Sequence, residues 1–340
     1  MEDALYGPLG YYGAGAARTG AGGDYFTAPE TGAAFAQLLT AIFTAWRARL
    51  AADPFSLVEV GGGEGRLADA LMGSWSADYT VVERSAARRE KIKTANPSLR
   101  LVDDIARINP PATGIIFANE LIDAFPVHRV RMMHGLLKEG YIQMASRIPT
   151  LEWNAPSTPQ LAAYFERLKI TLPDGYETEV NLAMADWLRR ASGALDRGIL
   201  LVIDYGRPAW DYYAEERTRG TLRGFKNHRV LDVPELLREG RAADWTADVD
   251  FTSLALDAQN AGFEPLAFME MGAFLKMGLT PALATDQPAF KPALRYLLHP
   301  EGLGAQFHVL ILGKNIDAAA WIFEHNRLAR LGLDALGTQA

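Results

Sequence analysis

The hydrophobic positions of this chain switch between two periods. Phe35, Leu38, Leu39, Ile42, Phe43 and Trp46 recur at helical spacing across residues 31–50. Short apolar runs follow: Phe55 to Val60, Tyr79 to Glu83, Leu99 to Asp104 and Gly114 to Glu120, with helical stretches from Leu67 to Met72 and from Arg88 to Ala95 between them. Apolar strands alternating with helices at this pitch predict an α/β fold, a parallel sheet under right-handed crossovers. Ligands of such sheets sit beyond the carboxyl ends of the strands, where the strand order reverses. All four runs end in polar residues, and these ends converge on one edge.

The rhythm then breaks. From Val127 to about Pro173, residues 130–133 and 141–144 read as hairpin strands, and residues 160–168 and 182–195 as helices. That is too long for a simple connection. Gly198 to Asp204 resumes the buried-strand pattern, and residues 205–250 form a polar excursion with few periodic signals. Phe251 to Ala261 reads as a helix, 264–269 and 306–313 as the last strands, and 321–331 as a terminal helix or tail. The expected organisation is an N-terminal segment and helix over the site (1–50), a core (51–127 and 196–315), an insertion serving substrate or partner (128–195) and a C-terminal helix or tail (316–340).

The chain is organised around Glu59-Val-Gly-Gly-Gly-Glu-Gly65, between the first strand and the next helix. Gly61, Gly63 and Gly65 permit positive φ and close approach of backbone to ligand, and the N–H groups of the following helix start face a polar group. The 2-and-2 glycine spacing departs from the Gly-x-Gly-x-x-Gly of dinucleotide sites. Glu59 suits a cationic ligand such as the sulfonium and amino group of S-adenosylmethionine. Glu83, 18 residues after Gly65, can accept both ribose hydroxyls, which serves NAD and S-adenosylmethionine alike. Asp103 or Asp104 can accept an adenine amino group while Ile105 packs on the ring, and Asp104 can equally cap a helix. Asn119, Glu120 and Asp123 end the fourth strand beside the switch point, where carboxylates can hold a guanidinium bidentately. At 4 Å and an effective dielectric near 20, such a pair attracts by about 4 kcal/mol. His128 reads as an ordinary histidine.

The first 31 residues are rich in glycine and aromatics. Asp24, Tyr25 and Thr27 sit in a stretch read as a loop over the ligand, Asp24 and Thr27 on the donor side and Tyr25 on the acceptor side. Asp204, Tyr205, Arg223, His228 and Asp248 complete the candidate acceptor contacts. The acids of residues 244–250 lack evident companion ligands, so no metal is expected.

Composition narrows the classes. Net charge is −7 with acids and bases interspersed, which argues against nucleic acid as main partner. The absence of cysteine excludes disulfides, thiolate metal sites and cysteine nucleophiles. No uncharged apolar run approaches the roughly 20 residues of a membrane helix. No targeting peptide is visible at the N-terminus, so the expected location is the cytoplasm of a bacterium or, in a eukaryote, the mitochondrial matrix.

Taken together, residues 10–12, 23–30, 58–67, 118–127, 203–206, 221–223, His228 and 244–251 resemble the MidA-type class I methyltransferases, over nearly the whole chain. That family includes a mitochondrial complex I assembly factor that methylates an arginine of a core subunit. The resemblance implies a Rossmann-like, seven-stranded, mostly parallel sheet with S-adenosyl-L-methionine as cofactor. It places the donor on Gly61, Gly63, Gly65 and Glu83 and the acceptor side on Asn119, Glu120 and Asp123. The expected activity is methylation of an arginine side chain of a protein, a complex I subunit or its bacterial counterpart, with a homodimer left open. Two alternatives stand beside it: a non-catalytic S-adenosylmethionine-binding assembly chaperone, and an NAD-dependent oxidoreductase.

Overall fold

Four apolar runs lie side by side as parallel strands. In the computed structural model, residues 1–13, 33–73, 75, 79–145, 148–281, 283, 290–299 and 301–336 are described. Taken in chain order, α1 (Glu2–Tyr6) precedes the amphipathic α2 (Ala33–Leu50). Then β1 (Ser56–Val60), α3 (Arg66–Met72), β2 (Tyr79–Val82), α4 (Ala86–Ala95), β3 (Arg100–Val102) and β4 (Ala112–Asn119) alternate. The register pairs Val60 with both Val82 and Ala118, so the three strand ends stand level.

After β4 the chain leaves the sheet. β5 (His128–Met133), β6 (Leu136–Ala145), β7 (Ile148–Asn154) and β8 (Glu177–Val180) form an antiparallel sheet in the order β7-β6-β5-β8. The amphipathic α5 (Gln160–Leu168) turns Leu161, Tyr164, Phe165 and Leu168 onto it. α6 (Ala183–Ala194) leads back into the long β9 (Leu195–Arg207). The polar excursion after it contains α7 (Ala209–Tyr212), β10 (Arg223–Lys226), β11 (Arg229–Leu231), α8 (Val233–Glu239), β12 (Asp244–Thr246) and β13 (Val249–Asp250). α9 (Phe251–Asn260), β14 (Glu264–Glu270), α10 (Met271–Lys276) and β15 (Phe307–Lys314) close the core.

The main sheet runs β14-β15-β9-β4-β1-β2-β3, with β13 laid against the end of β9. β15 alone runs against its neighbours β9 and β14. One face buries α2, α3 and α10, through residues such as Phe35, Phe43, Leu71 and Phe274. The other buries α6 and α9, through Trp187, Leu188, Phe251 and Leu254. The order reverses between β1 and β4, which opens the ligand crevice there.

One stretch differs from the sequence expectation, and a second decides between its two alternatives. The excursion folds as a second small sheet, β11-β10-β12. Its strands have four residues or fewer, too short to show a period of two. Residues 321–331 form no α-helix: a 3-10 turn spans Leu328–Leu331, while Trp321 and Phe323 pack edge-on to Trp46.

Candidate active site

Beyond the carboxyl ends of β1 and β4 lies a cavity of about 1060 Å³. Its floor is the glycine turn. Gly61 (φ +84°), Gly63 (φ +56°) and Gly65 (φ +81°) are all in the region that L side chains rarely adopt. A Cβ on Gly61 would come within 2.9 Å of Leu121. Gly61 and Gly63 line the cavity. Gly65 lies behind it as the first cap of α3, where a Cβ would meet Ile92 of α4 at 2.9 Å.

Two acids support the turn. Glu83 accepts hydrogen bonds from Gly63 N–H (2.9 Å) and Ser85 N–H (2.7 Å), one on each oxygen. Each oxygen can accept a further bond. Glu59, on β1, accepts from the Tyr79 hydroxyl. Burial pushes its pKa up to about 8; Tyr79 opposes that shift and the charge of Glu83 adds to it. Farther along the edge, Ile105 is buried at the cavity wall. Asp103 pairs with Arg107 at 2.6 Å. Asp104 caps the Ile105–Arg107 turn through Ala106 N–H (2.8 Å) and pairs with Arg190 at 2.7 Å.

The opposite wall descends from β4. Asn119 donates through Nδ2 to Glu120 at 3.1 Å. That bond fixes its amide orientation, leaving Oδ1 buried with no partner among the described residues. Glu120 has φ +52° while its N–H is held by Ile203 at 2.9 Å. A non-glycine residue in that region costs on the order of 1–3 kcal/mol and persists where the surroundings over-determine it. Asp123 accepts from the Tyr205 hydroxyl and from Thr246 Oγ1 (2.8 Å), both on Oδ2, while Oδ1 has no partner among the described residues. Burial raises its pKa, and the two hydroxyls oppose that rise.

Most of the residues singled out in the sequence thus meet in one cavity. Tyr205, Arg223, His228 and Asp248 line it too. Arg223 pairs with Asp248 at 2.7 Å and stacks 5.0 Å above the Tyr205 ring. His228 occupies the β10–β11 turn with φ +58°. Asp204 is placed elsewhere: fully buried, it does not line the cavity. It accepts from Ile122 N–H (2.9 Å), Asp123 N–H (3.3 Å) and Tyr205 N–H (2.9 Å), and so holds the loop after β4 in place. Burial, with Asp123 and Glu120 nearby, keeps its pKa well above the usual carboxylate range. Asp24, Tyr25 and Thr27 lie outside the described residues.

Other lining residues escaped the sequence reading. Tyr6 donates to Ala124 O (3.1 Å), and Tyr12 to Asp244 (2.7 Å). Arg84 and Arg88 stack on these two rings at 4.6 and 4.5 Å. The Gly-Tyr-Tyr-Gly run was the available signal for Tyr12; Arg88 carried none, being one polar residue of a helical face. His308, at the start of β15, stacks on Phe268, and burial lowers its pKa to about 4. Among the described residues no group of three or more His, Asp and Glu is placed to hold a metal, and no helix is long and apolar enough to cross a membrane.

The cavity's chemistry fits a ligand that is cationic at one end and adenosine-like at the other. Glu59, Glu120 and Asp123 line its walls, and the glycine floor leaves no side chain in the way. A family profile described as "Putative S-adenosyl-L-methionine-dependent methyltransferase" matches residues 37–269. The chain is 26% identical to "Protein arginine methyltransferase NDUFAF7 homolog, mitochondrial" of Drosophila melanogaster, over 94% of this chain and 81% of that protein. It is 24% identical to "Protein arginine methyltransferase NDUFAF7, mitochondrial" of Homo sapiens, over 92% and 78% respectively. Among solved structures, a Burkholderia thailandensis protein bound to S-adenosyl-homocysteine superposes with a TM-score of 0.81 at 26% identity, covering 95% of this chain and 90% of that one.

Proposed function

The chain belongs to the S-adenosyl-L-methionine-dependent methyltransferases, and from that premise we propose that it methylates an arginine side chain of a protein. The observation that carries the proposal is the acid wall beside the switch point. It holds Glu120 in a strained conformation and Asp123 with one oxygen unpartnered among the described residues. The relatives' names, protein arginine methyltransferases of mitochondria, agree with it. The acceptor in this reading is a subunit of respiratory complex I or its bacterial counterpart, met in the mitochondrial matrix or the bacterial cytoplasm. The sheet of residues 128–180 serves as partner surface beside the methyltransferase core. The oxidoreductase alternative is not favoured by the matched family.

When bound, S-adenosyl-L-methionine supplies a methyl group made electrophilic by its sulfonium. In this reading Gly61 and Gly63 let the backbone approach the donor closely. Glu83, already set by two backbone N–H groups, accepts the ribose hydroxyls. Ile105 packs against the adenine while Asp103 or Asp104 accepts from its amino group. Glu59 and Asn119 receive the cationic end. Glu120 and Asp123 then hold the guanidinium, so that most of the rate comes from orientation and from fixed charge. A guanidinium nitrogen that is alkylated must lose a proton, and in this reading the Asp123 carboxyl at the cavity wall takes it. Burial favours the protonated form of that carboxyl, which suits it to the task.

The test is transfer of labelled methyl from S-adenosyl-L-methionine to protein, followed by hydrolysis and amino-acid analysis. Methylarginine is expected from the wild type. Glu120→Gln should bind the donor within about twofold of wild type and turn over about 100-fold more slowly, within the range typical of a lost catalytic carboxylate. Full turnover by that variant, or label found only on other residues, contradicts the proposal.

A further inference from the structure

The small sheet β11-β10-β12 presents one face to the cavity and one edge to solvent. Lys226 and Arg229 flank a two-residue turn, Asn227–His228, with φ +49° and +58°. Positive φ at both positions makes it a type I′ hairpin turn. Such a turn closes on a pair that exchanges both hydrogen bonds, so the next pair, Phe225 and Val230, exchanges none. The N–H and C=O of Val230 therefore point away from β10. Among the described residues β11 is the last strand on that side, and Val230 is 60% exposed.

Directly opposite residues share a face. Val230 stands across from Phe225, and Phe225 across from Asp244; one step along, Arg223 stands across from Thr246. One face thus carries a stripe that begins at exposed Val230 and crosses Phe225 and Asp244, both at the cavity wall. It ends at Thr246, which donates to Asp123. An apolar rim leads over an aromatic ring to acids, with the Arg223 guanidinium on the same face, 5.9 Å from the centre of the Phe225 ring and paired with Asp248 at 2.7 Å. That sequence of surfaces matches an arginine side chain lying inward: main chain at the rim, methylenes on the ring, guanidinium at the carboxylates.

We propose that the protein substrate docks as an extended segment added to the β11 edge, its main chain paired with the N–H and C=O of Val230 and its arginine entering along Phe225. This rests on the protein-arginine reading above. The occupant is set by the site's own chemistry: an edge unpaired among the described residues takes another strand, and the Asp123 carboxyl beyond Thr246 takes a cation, Arg223 being already held by Asp248. Free arginine lacks the flanking main chain and gains nothing from the edge.

The probe is a blocked nine-residue peptide pool with central arginine and mixed non-proline flanks, compared with Nα-acetylarginine amide. Val230→Pro removes the outward N–H without touching a bond to β10; Val230→Thr keeps it. Val230→Pro is expected to raise KM for the pool at least tenfold, with kcat, donor affinity and melting temperature near those of wild type. Val230→Thr should match the wild type. Hydrogen exchange at 229–231 should slow when the pool is added to wild type, and less when the residues flanking the arginine are N-methylated. A Val230→Pro enzyme with wild-type KM, the amide used as well as the pool, or unchanged exchange at 229–231 overturns the docking proposal and leaves arginine methylation standing. A wild type that methylates no arginine at all refutes the proposed function instead, and the exchange measurement still decides the edge.

Discussion

At the scale of single residues, the site is built from carboxyls whose surroundings set their protonation. Glu59 titrates near pH 8 in the folded chain, against about 4.5 when unfolded. The folded state therefore binds the extra proton between those values. Its contribution to stability is complete below about pH 4.5 and is lost as pH rises toward 8. Glu59→Gln, shaped like the protonated acid, should flatten the fall of melting temperature between pH 5 and 8. The same titration acts on the donor: affinity for cationic S-adenosylmethionine should rise from pH 6 to 8 in wild type and stay level in Glu59→Gln, as read by calorimetry. For Asp123, the Tyr205 hydroxyl opposes the upward push of burial. Tyr205→Phe removes it, so the acid limb of the pH–kcat/KM profile should move to higher pH; an unmoved limb would take Asp123 out of the proton's path.

At the scale of elements, the parallel strands were legible because their apolar runs are long enough to show and end in polar residues. The β11-β10-β12 sheet was not, because its strands have four residues or fewer. Asp204 shows how position at a strand end misleads. Leu200 and Val202 face one core and Leu201 and Ile203 the other. Strict alternation puts Asp204 with the first pair, on the face away from Tyr205. The parity was in the sequence; which face bordered the cavity was not. Asp204→Asn replaces an acceptor of three N–H groups with an amide whose Nδ2 cannot accept. It should cost about 1–3 kcal/mol in chemical denaturation, the penalty of a buried donor left unmet. Because the loop it holds carries Asp123, kcat should fall more than donor affinity.

At the scale of the whole molecule, the N-terminal segment ties the two halves of the cavity together. The Tyr12 carbonyl accepts from Ser85 Oγ on the donor side, and its hydroxyl donates to Asp244 on the small sheet. Leu5 and Tyr11 are buried with Trp245 and Leu236 in the same cluster. A hydrogen bond to a charged group is worth about 1.5–3 kcal/mol. Tyr12→Phe should therefore lower the melting temperature and raise KM for donor and acceptor alike; a change confined to stability would make the segment a support only. The most direct check of the central claim, that a cationic adenosyl donor lies on the glycine floor, is calorimetric titration of wild type and Gly61→Val with S-adenosyl-L-methionine. One-to-one binding to the wild type, weakened at least tenfold in Gly61→Val at a temperature where both proteins are folded by circular dichroism, is the predicted result. Equal affinity in the two proteins, or no binding to the wild type, would contradict it.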